Sequence, residues 1–131
     1  LAAGAVDGAN LGASARAGMI ARAYAELTRL IVALGGSAET MGGLAGLGDL
    51  ALSCTSTQSR NYRHGVALAQ GELPPRALAE GVFTAPVALA LAQRAGVEAP
   101  LVEAVNLLLG GGTKIDRIVA GLMSRPLKRE T

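Results

Sequence analysis

The chain has 131 residues, enough for one domain around a single core. Half of them are apolar, mostly alanine and leucine beside many glycines, with one Phe (Phe83), two Tyr and no Trp, so the core has to come from close helix-on-helix approach rather than from aromatic rings. A net charge of +2, with no Lys/Arg run interleaved with aromatics, excludes a nucleic-acid-binding surface, and the apolar content excludes intrinsic disorder.

The predicted elements are helical from beginning to end. Ile20, Tyr24, Leu27, Ile31 and Leu34 are spaced four, three, four, three, which lines one face of a helix, while Arg22, Glu26 and Arg29 fall off that stripe. Gly35-Gly36 ends it, because glycine readily takes the left-handed C-terminal conformation, and Ser37 can cap a shorter helix after it. Ser59 to about Gln70 reads as another helix, closed by Gly71 and Pro74-Pro75. The next runs from Thr84 to Ala95, with Pro86 in its first turn and Gly96 just past its end. Pro100 opens one through Val102, Val105 and Leu109 to Gly110-Gly111-Gly112, and the last carries Ile115, Ile118, Val119 and Leu122 on one face, with Pro126 beyond its stop. Alternating runs of β-branched residues are missing. The expectation is one all-α domain over 1–131, with no repeat and no long linker.

Several features bound the setting. Cys54 stands alone, so there is neither a disulfide framework nor a cysteine-based zinc site, and a reducing, cytoplasmic compartment is expected. No apolar stretch reaches the roughly 20 residues that span a bilayer, so membrane insertion is not expected. Leu1-Ala2-Ala3-Gly4 is unlike a signal peptide and reads as a start in mid-protein. The basic tail Arg125-Pro126-Leu127-Lys128-Arg129 reads as a solvated terminus.

The polar residues that interrupt the apolar pattern are the informative ones. In Gly43-Leu44-Ala45-Gly46-Leu47-Gly48-Asp49-Leu50-Ala51-Leu52-Ser53-Cys54-Thr55, one carboxylate sits among apolar and glycine positions, where burial is expected. A buried charge is costly unless paired, so Asp49 implies a cation or several donors nearby. The alternative, equally open on chemistry alone, is that Asp49 caps a helix beginning at Leu50, with Gly48 making the turn. Gly46-Leu47-Gly48-Asp49-Leu50-Ala51 also fits the dinucleotide fingerprint, but Ser37 to Ala45 contains no strand-like run, so the match is coincidental.

Ser56-Thr57-Gln58-Ser59-Arg60-Asn61-Tyr62-Arg63 follows at a predicted helix start. Free N–H groups and the helix dipole attract anions there, and Arg60 adds a fork of donors suited to phosphate, with Ser59 and Asn61 as neutral donors. An ordinary Ser-capped helix with exposed arginines is the bland alternative. His64 has no ligand-spaced partner on its helix and reads as a surface or half-buried histidine. Cys54 reads as a small buried residue, Glu80 as a first-turn acid, and Met19, Met41 and Met123 as core filling. No metal site is expected.

Gly43-Leu-Ala-Gly-Leu-Gly-Asp-Leu50, then Cys54-Thr55, Ser59-Arg60-Asn61 and Glu80-Gly81-Val82, resembles the bacterial NAD(P)-dependent glycerol-3-phosphate dehydrogenases. So does Ala25-Glu26-Leu27-Thr28-Arg29-Leu30 followed by Ala33-Leu34-Gly35-Gly36, and the resemblance runs over essentially the whole chain in order. It implies a helical, substrate-binding C-terminal domain of the 6-phosphogluconate-dehydrogenase-like kind, partnered by an N-terminal Rossmann domain that this chain lacks. It also implies NAD- or NADP-dependent reduction of dihydroxyacetone phosphate to sn-glycerol 3-phosphate, a precursor of glycerophospholipids.

By the same resemblance Asp49 is the substrate-site aspartate near the reacting oxygen, and Ser59, Arg60 and Asn61 are the phosphate-binding triplet. Ser53 stands where many relatives have threonine. Arg60, Leu78 and Glu80 lie on the cofactor side. The family's proton donor is a lysine in a Lys-Asn pair shortly before Ala-Ala-Gly, expected upstream of Leu1; Lys114 and Lys128 do not match its context. The isolated chain is therefore expected to be inactive and to hold no cofactor, and the face that meets the Rossmann domain could drive association into a homodimer. Two rival readings are a substrate domain of another hydroxyacid dehydrogenase and a non-catalytic helical interaction module; the latter predicts Asp49 and Arg60 on the surface and far apart.

Overall fold

A helix that no periodicity announces is the most deeply buried element of the chain. In a computed structural model, which describes residues 1–75 and 78–126, α1 spans Ala2–Gly8. Ala5 and Val6 have no exposed surface at all. With burial on nearly every side, α1 needs small residues everywhere and so shows no apolar stripe. Its closest partner is α5, Arg60–Gln70. A Cβ on Gly4 would stand 1.9 Å from the Tyr62 carbonyl oxygen, and one on Gly65 would stand 2.0 Å from the Leu1 carbonyl oxygen. The two backbones are in contact because neither glycine has a side chain.

Helix α2, Ala13–Ala33, buries Met19, Ala23, Glu26 and Leu30. That face lies one residue ahead of the predicted stripe, a rotation of about 100° at 3.6 residues per turn. Ile20, Tyr24, Leu27 and Ile31 are half-buried beside it, and Leu34 is exposed. Helix α7, Pro100–Gly110, is displaced in the same sense, burying Leu101, Ala104 and Leu108 rather than Val102, Val105 and Leu109. In both helices the apolar stripe is wider than the contact. The residue facing the core is the one that meets a close neighbour, and the next residue along is left half-buried at its edge.

Glu26 corrects the sequence expectation most sharply, since it is 2% exposed rather than off the core face. Its carboxylate accepts the amides of Leu101 at 2.8 Å and Val102 at 2.9 Å. These are among the first N–H groups of α7, which have no partner within their own helix, so a side chain from α2 caps α7 from outside.

The glycine and serine stops behave as expected. Gly35 takes φ +92° and the Gly36 amide returns to the Ile31 carbonyl at 2.8 Å. Ser37 caps α3, Ala38–Met41, through the Thr40 amide. A single wide π turn, Leu44–Gly48, then leads directly into α4, Asp49–Thr55. The fingerprint-like glycines thus lie in helical backbone, and no strand occurs among the described residues.

Helix α6 runs Gly81–Ala95, three residues longer at its start than expected, so Pro86 lies inside it rather than in its first turn. The start is set from outside by Asn61, whose Oδ1 accepts the Gly81 amide at 2.9 Å. Asn106 ties α7 to α6 by donating to the Ala85 carbonyl at 3.0 Å. Helix α8, Ile115–Met123, buries Val119 and Leu122 as expected, and Arg22 of α2 holds the chain after it by donating to the Arg125 carbonyl at 2.7 Å. Of the basic tail, Leu127, Lys128 and Arg129 lie outside the described residues, and Arg125 is exposed. The central core joins α1, α2, α7 and α8 through Val6, Met19, Ala23, Leu101, Ala104, Val119 and Leu122. No described helix is long and apolar enough to cross a membrane.

Candidate functional site

The connection from α4 to α5 is a ladder of serines. The Ser56 hydroxyl accepts the Gln58 amide at 3.1 Å, and the Ser56 carbonyl accepts the Ser59 amide at 3.1 Å. Ser59 then caps α5, its hydroxyl accepting the Tyr62 amide at 3.2 Å and its carbonyl the Arg63 amide at 3.1 Å. The Arg60 and Asn61 amides precede the helical ladder, so they remain available with the positive end of the dipole. Ser59 uses its oxygen as an acceptor and keeps its hydroxyl proton to donate.

Arg60 is exposed, and Asn61 is half-buried behind it. Because the Gly81 N–H must meet an acceptor, Asn61 has its oxygen on that side and its NH2 on the other. This one bond joins the start of α5 to the start of α6, where Glu80 precedes Gly81 and Leu78 lies two positions before it. Both Leu78 and Glu80 are exposed, and the Glu80 carbonyl accepts the Thr84 hydroxyl at 3.0 Å.

Asp49 is also exposed, contrary to the burial expected from its apolar neighbours. It lies in the first turn of α4 and makes no hydrogen bond or ion pair with a described residue. The cause is the whole segment's position: Leu44 is 91% exposed and Leu52 60%, so the π turn and α4 stand on the surface and Asp49 has no desolvation to offset. Nor does Asp49 cap a helix beginning at Leu50, since it is itself the first residue of α4 and its side chain makes no cap hydrogen bond. Ser53, one turn further along the same face of α4, is half-buried.

Ser53 and Asn61 come together on the wall of a cavity of about 290 Å³. Much of the rest is apolar, from Met19, Ile20 and Leu27 of α2 and Val102 and Val105 of α7. These are in large part the half-buried residues that the predicted stripes placed in the core. Asp49, Ser59, Arg60, Leu78 and Glu80 do not line it. Cys54 does, and burial pushes its thiol above the usual range, away from nucleophile behaviour. His64 is half-buried, and desolvation lowers its affinity for a proton.

Two polar clusters escaped sequence reading. Asp7 of α1 accepts Arg16 at 2.8 Å and the Tyr62 hydroxyl, and that second bond is the main cause of the raised Tyr62 pKa. Burial raises the Glu26 carboxyl, against the opposing pull of its two amide bonds. The Tyr62 hydroxyl lies 55 residues from Asp7 and the two amides 75 and 76 residues from Glu26, so local spacing could not have revealed these bonds. No group of His, Cys, Asp or Glu among the described residues is arranged to hold a metal ion.

Comparison with known proteins gives the chain a family. Residues 1–120 match the family model described as the NAD-dependent glycerol-3-phosphate dehydrogenase C-terminus. The chain is 53% identical to the glycerol-3-phosphate dehydrogenase [NAD(P)+] of Caulobacter vibrioides, over 99% of its own length and 41% of that protein's. It is 50% identical to the enzyme of the same name from Brucella ovis, covering 99% and 40%. It superposes on the crystal structure of glycerol-3-phosphate dehydrogenase from Coxiella burnetii with a TM-score of 0.88 and 41% identity, over 95% of this chain and 40% of that one. The chain spans about 40% of the length of these relatives. It belongs to the family of NAD-dependent glycerol-3-phosphate dehydrogenase C-terminal domains.

Proposed function

We propose that this chain supplies the substrate side of an enzyme that reduces dihydroxyacetone phosphate to sn-glycerol 3-phosphate with NADH or NADPH, in the cytoplasm and towards glycerophospholipids. The observation that carries the reading is the start of α5. The unladdered amides of Arg60 and Asn61, the Ser59 hydroxyl, the Arg60 guanidinium and the Asn61 NH2 all belong to one helix end, which suits a phosphate dianion. Membership in the family favours this reaction over a dehydrogenase of another acid and over a non-catalytic module. Exposure of Asp49 and Arg60, which the interaction-module reading expected, accords equally with a site that faces a second domain.

When bound, the reduced nicotinamide supplies hydride. The described residues contain no strand-turn-helix unit to cradle a dinucleotide, so this chain fits the cofactor only at a rim formed by Arg60, Leu78 and Glu80, and a Rossmann domain is the proposed partner. Asp49 is assigned to the neighbourhood of the reacting oxygen. There its carboxylate would hold a proton donor, a lysine by resemblance, as the carbonyl becomes an alkoxide. Ser53 contributes a hydroxyl from the same helix face. A homodimer of the isolated chain is part of the proposal, through the exposed apolar face that would otherwise meet the Rossmann domain.

The helix-end site is testable on the 131-residue chain alone. Glycerol 3-phosphate should shift the Arg60 and Asn61 amide resonances, with weak affinity, and Arg60→Ala should abolish the shifts. Unchanged binding in Arg60→Ala would remove α5 from the phosphate site. The chain alone should give no turnover, because it offers neither a dinucleotide cradle nor the lysine's sequence context.

A further inference from the structure

Asn61 and Gly81 bring the first turns of α5 and α6 into close contact. A Cβ on Gly81 would stand 2.8 Å from Asn61 Oδ1 and 2.9 Å from Leu1 Cδ1, so a side chain at Gly81 would push the carboxamide out of place. The Gly81 amide is also the first N–H of α6, unlike most helix-start amides in that it is satisfied by a residue 20 positions earlier on another helix. A carboxamide can present oxygen or NH2 to a ligand, and only NH2 is useful to an anion. The α6 amide makes that choice by occupying the oxygen.

We propose that Gly81 is a positioning residue for the phosphate site. Its amide holds the Asn61 carboxamide with the NH2 group turned towards the anion at the start of α5, and its missing side chain leaves room for that orientation. The inference rests on the reading of α5 as the phosphate end of the substrate site. It has a second consequence. Because Gly81 follows Glu80, the phosphate's donor is held by the residue next to one of the proposed cofactor-rim side chains, so the two ligands meet at one connection. Asn61 acts on the phosphate, and Gly81 acts through Asn61.

The test is a double-mutant cycle in the full-length protein, with KM for dihydroxyacetone phosphate, kcat and Tm measured for wild type, Asn61→Ala, Gly81→Ala and the double variant. A hydrogen bond to a charged group is worth about 1.5–3 kcal/mol, so Asn61→Ala should raise KM on the order of ten- to a hundred-fold. Gly81→Ala should raise KM comparably with kcat changed much less, and the double variant should be no worse than Asn61→Ala alone. Gly81→Ala with wild-type KM, or effects that multiply in the double variant, would overturn the positioning role. If Gly81→Ala does not fold, Gly81→Ala combined with both Asn61→Ala and Leu1→Ala decides: with both opposing side chains gone it should fold, and failure to fold would place the clash elsewhere and refute the proposal. Failure of the underlying reading looks different, because Asn61→Ala would then leave KM unchanged, whereas failure of the positioning role alone leaves KM raised in Asn61→Ala and at the wild-type value in Gly81→Ala.

Discussion

Two stretches of this chain are written in the same small alphabet, and the fold treats them oppositely. Ala2-Ala3-Gly4-Ala5-Val6-Asp7-Gly8 is buried along nearly its whole length as α1, whereas Leu44-Ala45-Gly46-Leu47-Gly48-Asp49-Leu50 stands largely exposed as the π turn and the start of α4. Each contains one aspartate. Asp7 is held by Arg16 and Tyr62, and Asp49 has no partner among the described residues. Burial is therefore decided by whether another element presents a matching surface, not by local composition. The glycines of α1 meet the backbone of α5, but nothing among the described residues covers Leu44 or Leu52. An exposed, apolar, glycine-rich segment with a bare carboxylate is what a site shared with another domain would look like from one side.

The contrast can be broken most violently at the α1–α5 contact. Gly4→Ala places a methyl 1.9 Å from the Tyr62 carbonyl oxygen, with backbone on both sides and no side chain to give way. The expected loss is at the upper end of overpacking costs, about 3 kcal/mol or more, read as a fall in Tm. A Tm within a degree or two of wild type would mean that the helices are not in backbone contact.

A smaller effect sharpens the distinction between satisfied and unsatisfied carboxylates. Glu26→Gln keeps one acceptor but turns an NH2 towards the amides of Leu101 and Val102, at a cost of about 1–3 kcal/mol. The pH dependence has a definite sign. Burial raises the Glu26 pKa in the folded state above the ordinary glutamate value of 4.5, so the folded chain binds this proton more tightly than the unfolded chain. The group's contribution to stability is full below pH 4.5 and is lost as pH rises through the raised folded value. Urea titrations across that window should show a shallower fall in Glu26→Gln, which has no proton to lose. An unchanged pH slope would contradict the burial of this carboxylate.

The smallest effect belongs to the exposed segment. A Cβ on Gly48 meets nothing nearer than 3.5 Å, at the Leu44 side chain, and the backbone there is helical. Gly48→Ala should be neutral or stabilising by up to about 1 kcal/mol through the unfolded chain's lost freedom. A loss like that of Gly4→Ala would erase the difference between the two stretches.

Much of the fold was legible because helix ends are local. Ser37, Ser59, Gly35, Gly71, Gly96, Pro100 and Gly111 stop or start helices through groups within a few residues, so spacing alone finds them. Helix α1 was not legible because a helix buried on all sides has no stripe, and its partner lies more than 50 residues away at Tyr62, as the Asp7 contact shows. The core faces of α2 and α7 were read one residue late because the apolar stripe on each helix is wider than its contact, so the pattern alone does not say which row meets a neighbour. At the site, Ser59, Arg60 and Asn61 could be read from helix-end chemistry. The lock on Asn61 could not, because Gly81 announces itself only once α5 and α6 are side by side. Asp49 was read as buried because its neighbours are apolar, and that inference fails wherever apolar residues are themselves uncovered.

The measurement that bears most directly on the central claim is dihydroxyacetone-phosphate-dependent oxidation of NADH and NADPH by the full-length protein, alongside Asp49→Asn and Arg60→Ala. Both side chains are exposed in this chain, so neither substitution should move Tm appreciably. The account predicts turnover in wild type, its loss in Asp49→Asn, and a KM raised on the order of ten-fold or more in Arg60→Ala. Full activity in Asp49→Asn, or an unchanged KM in Arg60→Ala, would contradict the assignment of the substrate site to the starts of α4 and α5.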